Sequence, residues 1–119
     1  MLNFAFEQDI LRIEARGALS KNDFERLTGA LGIYLNEHKQ LRGVLIHTQS
    51  FPGWDSLGGF GAHMDFVRAN HSIVRRVALA TDSVLADMAE ALVEQFSSAK
   101  VRHFAFSDDS AAMKWLQAG

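Results

Sequence analysis

Residues 10–35, ILRIEARGALSKNDFERLTGALGIYL, change their hydrophobic period halfway along. In the first part Ile10, Leu11, Ile13 and Ala15 run on to Gly17, with Arg12, Glu14 and Arg16 on the other side. That period of two predicts a strand with one buried face. Ser20-Lys21-Asn22-Asp23 then has the spacing of a capping box, in which each side chain satisfies a free backbone N–H of a helix's first turn. Phe24, Leu27, Leu31 and Leu35 follow at helical spacing, and Glu25, Arg26 and Glu37 fall elsewhere. The stretch therefore predicts a strand feeding a helix over 21–38, the repeating unit of an α/β fold.

Upstream, Phe4 and Phe6 alternate with polar neighbours, and Gln8-Asp9 is a turn signal, so the chain should open with two short adjacent strands. Downstream, a strand is expected at 43–46, then a helix from Ser56 or Leu57 to about Asn70. Gly58, Gly59 and Gly61 weaken the start of that helix by roughly 1 kcal/mol each relative to alanine. Residues 74–80 read as a fourth strand. Thr81-Asp82-Ser83 should cap a helix carrying Leu85, Met88, Leu92 and Phe96. Residues 101–106 read as the fifth strand, and Ser107-Asp108-Asp109 should cap a last helix with Ala112, Trp115 and Leu116. The order is β-β-α-β-α-β-α-β-α: one α/β domain over 1–119, with a five-stranded mixed, mostly parallel sheet flanked by helices. Crossovers between its parallel strands should be right-handed.

Composition narrows the function classes. The chain has 119 residues, 48% hydrophobic and 22% charged, with a formal net charge of −2. That balance is ordinary for a globular domain and lacks the basic footprint that nucleic acid demands. Cysteine is absent, which excludes disulfides and thiolate chemistry. No window approaches the roughly 18–20 apolar residues of a membrane span. The opening MLNFAFEQD has no basic segment or long apolar core, so no secretory signal and a cytoplasmic location are expected.

Candidate functional residues concentrate in VLIHTQSFPGWDSLGGFGAHMD, residues 44–65. Strand-to-helix junctions are where α/β proteins usually place their sites. Phe51 and Trp54 flank Pro52-Gly53, where a plain turn would be polar. Leu57, Phe60, Met64 and Val67 form one helical stripe, expected to be mostly core. Phe66 lies off that stripe and, with Phe51 and Trp54, would form an apolar patch if exposed. Phe60 and His63 complete the candidate binding surface. Asp55-Ser56 stands at the helix start, where either residue suits an N-cap. His47, near the end of a central strand, and Asp82 are expected beside a crevice at the strand ends. His63 and His71 are too far apart to grip one ion, and no zinc-type spacing is present, so neither a metal nor another cofactor is expected. A hydrolase would need Ser50, Ser56 or Ser83 beside His47 or His63 with Asp82 as orienter, but there is no G-x-S-x-G elbow.

Four segments carry a family resemblance: IEARGALSKNDFERL (13–27), FPGW (51–54), VALATDSVLADMAEAL (77–92) and HFAFSDDSAAMKWL (103–116). Through them the whole chain resembles the SpoIIAA-like proteins, whose fold is that of STAS domains and of small Sec14-like lipid-binding modules. The stricter STAS relatives are anti-sigma-factor antagonists, switched by phosphorylation of a serine in a D-S-x-G-like turn before the second helix. The resemblance carries that role onto Ser56 of Asp55-Ser56-Leu57-Gly58. The expected function is a non-catalytic binding or regulatory module that takes a small apolar ligand, a protein partner or its own copy in a homodimer. A phosphorylated switch at Ser56 and a small hydrolase are the alternatives.

Overall fold

A computed structural model describes residues 2–38, 41–50, 56–70, 73–82 and 100–119. Five strands form one sheet in chain order: β1 (Leu2–Glu7), β2 (Ile10–Ala15), β3 (Leu41–His47), β4 (Val74–Ala80) and β5 (Lys100–Phe104). β1 pairs antiparallel with β2, and all later pairs are parallel. The expected hairpin is closed by Gln8 and Asp9, both at positive φ (53° and 64°). Two left-handed residues match the right-handed strand twist, the geometry of a type I′ turn.

Helix α1 (Lys21–His38) connects β2 to β3, and α2 (Leu57–Asn70) connects β3 to β4. The capping box is formed as its spacing predicts: the Ser20 N–H donates to Asp23 Oδ2 at 2.9 Å, and the Asp23 N–H to Ser20 Oγ at 3.1 Å. Burial pulls the Asp23 carboxyl upward, but these bonds and one from Arg26 outweigh it and hold the group below its ordinary value. The C-terminal helix α3 (Asp109–Gln117) follows β5 through a 3-10 turn at Phe106–Asp108.

Successive strand residues face opposite sides of the sheet, and the two sides have separate cores. On one side Leu11, Ile13 and Ala15 of β2 pack with Phe24, Leu27 and Leu31 of α1, joined by Ala62 and Phe66 of α2. On the other, Ile10, Leu45, Ala78 and Ala80 pack against Ala112 and Leu116 of α3, with Phe104, Met113 and Trp115 alongside. Gly43 makes this second contact close: a Cβ there would lie 2.7 Å from Leu116 Cδ2.

Several expectations need correction. Strand β5 ends at Phe104 rather than 106, because Phe106 turns away from the ladder and its N–H bonds to Asp82 Oδ1 at 3.0 Å. Strand β3 is longer than 43–46 at both ends. Asp108 occupies the N-cap of α3 without a side-chain cap bond, and Asp109 pairs instead with Arg12 of β2. The buried side of α2 is also different. Leu57 is 89% and Val67 43% exposed, whereas Phe66, expected off the core stripe, is partly buried against the core. Apolar residues surround this helix almost evenly, so its period selects no face. Contact with Phe24 of α1 decides which side turns in. The expected helix with Leu85, Met88, Leu92 and Phe96 lies outside the described residues.

Candidate functional site

The carboxyl ends of β2 and β3 border a crevice of about 480 Å³, lined by Glu14, Ala15, Arg16, Gly17, His47, Thr48, Gln49, Ser50 and Phe106. The crevice thus lies where the strands pass into their connecting segments, the part of an α/β scaffold that most often carries function. Gly17 holds φ 66°, a left-handed conformation that glycine adopts without a Cβ penalty, just after β2 ends.

His47 forms the wall of the crevice and is fixed on three sides. Its Nε2 lies 2.9 Å from the Phe106 carbonyl oxygen. Its Nδ1 faces Glu14 Oε1 at 3.7 Å. Its ring stacks on Phe106, with centroids 4.2 Å apart and 11° between planes. Phe106 is itself positioned from the far side by Asp82, whose Oδ1 takes its N–H. The two residues expected near the crevice thus meet through a third, with His47 in its wall and Asp82 acting on it through Phe106.

Below His47, Arg12 donates through Nη2 to Asp109 Oδ2 at 2.8 Å, and its Nε stands 3.6 Å from Glu14 Oε1. The bond from Arg12 pulls the Asp109 carboxyl below its usual value, and the same bond raises the Arg12 guanidinium. This pair ties the first turn of α3 to β2.

Backbone and hydroxyl bonds brace the rim. The Thr48 N–H donates to Ala80 O at 3.1 Å, Thr81 N–H to Phe104 O at 2.9 Å and Asp82 N–H to Gln49 O at 3.1 Å. The Thr48 hydroxyl stands between two carbonyls, 3.0 Å from Ala15 O and 2.8 Å from Ser50 O. The strand ends are therefore cross-linked by hydrogen bonds in order from β2 to β5.

The other candidates are distributed differently. Ser56 is exposed, and its Oγ accepts the Gly59 N–H at 3.1 Å, the geometry of an N-cap for α2. His63 stacks on Phe24 of α1 at 4.8 Å, and burial lowers its pKa. Phe66 also contacts Phe24, with centroids 6.2 Å apart. His63 and Phe66 thus belong to the α1–α2 seam, on the side of the sheet away from His47. Phe51, Trp54 and Asp55 lie outside the described residues, as does the side chain of Phe60. Among the described residues no group of three or more His, Asp or Glu side chains could hold a metal ion. None of the described helices is long and apolar enough to cross a membrane.

Sequence reasoning overlooked Glu14, Arg12, Phe106 and Asp109. A signal for the first two was present: charged residues on a strand that carries apolar residues on both sides, at Ile10 and at Leu11, do not simply face water. Phe106 had no such signal, because an aromatic after a strand reads as more strand.

Comparison with known proteins agrees with this architecture. The model of the SpoIIAA-like family matches residues 10–117. The chain belongs to the SpoIIAA-like family. Among solved structures, an uncharacterized protein with a SpoIIAA-like fold from Shewanella loihica PV-4 superposes with a TM-score of 0.74 at 23% identity, covering 98% of this chain and 92% of that one. Among curated proteins none matches. The SpoIIAA-like fold is the mixed five-stranded sheet flanked by helices described above, and the crevice lies inside the matched region.

Proposed function

We propose that this SpoIIAA-like chain is a non-catalytic binding module whose ligand site is the crevice between the ends of β2 and β3. The observation that carries this reading is an open crevice of about 480 Å³ whose bordering strand ends are joined by hydrogen bonds, within the size range of small-molecule sites. Its described lining combines the Phe106 ring with Glu14, Arg16, His47 and Thr48. Such a lining suits a small ligand with an apolar body and one polar or charged group. Ser50 is followed in the sequence by Phe51-Pro52-Gly53-Trp54, and those two aromatics are kept as candidate contacts for the apolar body of the ligand.

The state of His47 favours binding over catalysis. A general base needs a ring nitrogen open toward the substrate proton. Here Nε2 is engaged by a backbone carbonyl and Nδ1 faces a carboxylate. The imidazole acts as a wall and a brace for Phe106.

A protein-detected NMR screen with small aromatic carboxylates and amines tests the proposal. Binders should move the amides of Gly17, Thr48, Gln49 and Phe106. Ser50→Trp, which fills the crevice from an exposed position, should abolish those shifts while leaving the spectrum of α1 unchanged. Shifts that persist in Ser50→Trp, or that cluster away from the strand ends, would refute the assignment.

A further inference from the structure

The sheet has two outer strands, β1 and β5, and they are protected in different ways. An outer strand presents unpaired N–H and C=O groups that a strand of another molecule can bond, and natural sheets blunt such edges with charge or proline. Strand β5, KVRHF, carries its own exposed cations at Lys100 and Arg102. Strand β1, LNFAFE, has no cation and no proline, and two of its six residues are phenylalanine.

The turn register shows which groups of β1 are open. A two-residue turn at Gln8-Asp9 makes Glu7 and Ile10 a hydrogen-bonded pair. Alternation along an antiparallel ladder then points the backbone of Phe6, Phe4 and Leu2 outward. One of these outward groups is covered from outside the strand: Arg26 of α1 donates through Nη2 to the Leu2 carbonyl at 2.9 Å. The same guanidinium is held by Asp23 Oδ1 at 2.9 Å and lies 6.0 Å from the centre of the Phe4 ring. Asp23 is itself locked in the capping box, so the charge is held in place over the edge. Among the described residues no other side chain bonds an outward group of β1.

We propose that Arg26 is the guard of the β1 edge, and that without it β1 pairs antiparallel with β1 of a second copy. The second copy is the fitting occupant because the outward pattern is self-complementary. With Phe4 opposite Phe4, Leu2 meets Phe6 and Asn3 meets Ala5, so no like charges face each other within 2–6. The pairing would join two sheets into one of ten strands, with Arg26 displaced from Leu2 O by the Phe6 N–H of the second molecule. This inference is independent of the crevice.

Sedimentation equilibrium and amide hydrogen exchange on the wild type, Arg26→Ala and Arg26→Gln test it. The glutamine variant keeps a helix-favouring stem over Phe4, so that loss of folding in the alanine variant does not end the test. The wild type should stay at 13.2 kDa, and the variants should move toward twice that mass with concentration. The Phe4 and Phe6 amides, fast to exchange in the wild type, should slow roughly tenfold or more in the associated variants as the edge becomes protected. A folded variant that stays monomeric overturns the proposal. So does association that leaves those two amides fast, or a wild type that associates as strongly as the variants.

Discussion

Replacing Gly43 by alanine adds one methyl group where β3 touches α3, and its consequence can be worked out from the contacts. The new Cβ would stand 2.7 Å from Leu116 Cδ2 and 3.1 Å from the Arg76 carbonyl oxygen. Carbon atoms rest comfortably at about 3.5–4.0 Å, so the helix or the leucine must withdraw by about 1 Å. Leu116 has little room to do so, being 0% exposed among Ile10, Leu45, Ala78 and Ala112. Overpacking of this kind costs about 1–3 kcal/mol. Alanine recovers about 0.5–1 kcal/mol of the entropy that glycine loses in a strand. The net expectation is a destabilisation of about 1 kcal/mol, which for a chain of this size lowers Tm by roughly 3–6 °C. Urea and thermal denaturation measure the single variant, and a double-mutant cycle with Leu116→Ala identifies the cause. Leu116→Ala alone should cost about 2–5 kcal/mol. The double variant should cost less than the sum by about 1 kcal/mol, because the added methyl enters the space the leucine leaves. A Gly43→Ala protein as stable as the wild type, or a strictly additive double variant, would refute this picture of how α3 is seated.

Two further outcomes follow from titratable groups. Burial lowers the pKa of His63 in the α1–α2 seam below the ordinary 6.5. On acidification the unfolded chain therefore binds this proton first, so the stability that His63 contributes is complete above pH 6.5 and is lost as pH falls through the folded value. Thermal melts across this range should show His63→Phe with a weaker pH dependence than the wild type, and an unchanged slope would count against the seam. Tyr34 stacks between Phe6 and His38 and donates its hydroxyl to Asp9. Burial, together with that bond and the nearby carboxylate, pushes the phenol up to about 12. Tyr34→Phe should lose about 1 kcal/mol with the fold intact, and ultraviolet titration should find the phenolate forming only well above the usual range for tyrosine. A normal tyrosine titration would show that the contact with Asp9 is absent in solution.

How much of the architecture could be read in advance depended on whether a signal was local. The limits of α1 and β4 match their expected ranges because alternation, capping and helical spacing act over a few residues. The same holds for the turn at Gln8-Asp9. The exposed side of α2 was misjudged because its apolar residues surround the axis, and only the approach of Phe24 breaks that symmetry. At β5 the chain left the ladder earlier than its composition implied, since a carboxylate 24 residues away in sequence, Asp82, bonds the Phe106 N–H. Nothing near Phe106 in the chain announces that bond.

The candidate site divides along the same line. By itself the sequence determined the α/β class, the order of its elements, the family resemblance and the placing of His47 near a strand end. Those follow from local periodicity and from the rule that such ends hold sites. Tertiary structure decided that Glu14, His47 and Phe106 share one crevice. It also paired Arg12 of β2 with Asp109 of α3, and set Arg26 over the open edge of β1. Each of these depends on register between strands distant in sequence and on which side of the sheet a helix covers. A shift of one residue in a strand turns every side chain to the opposite face, so only the assembled sheet could bring these groups together.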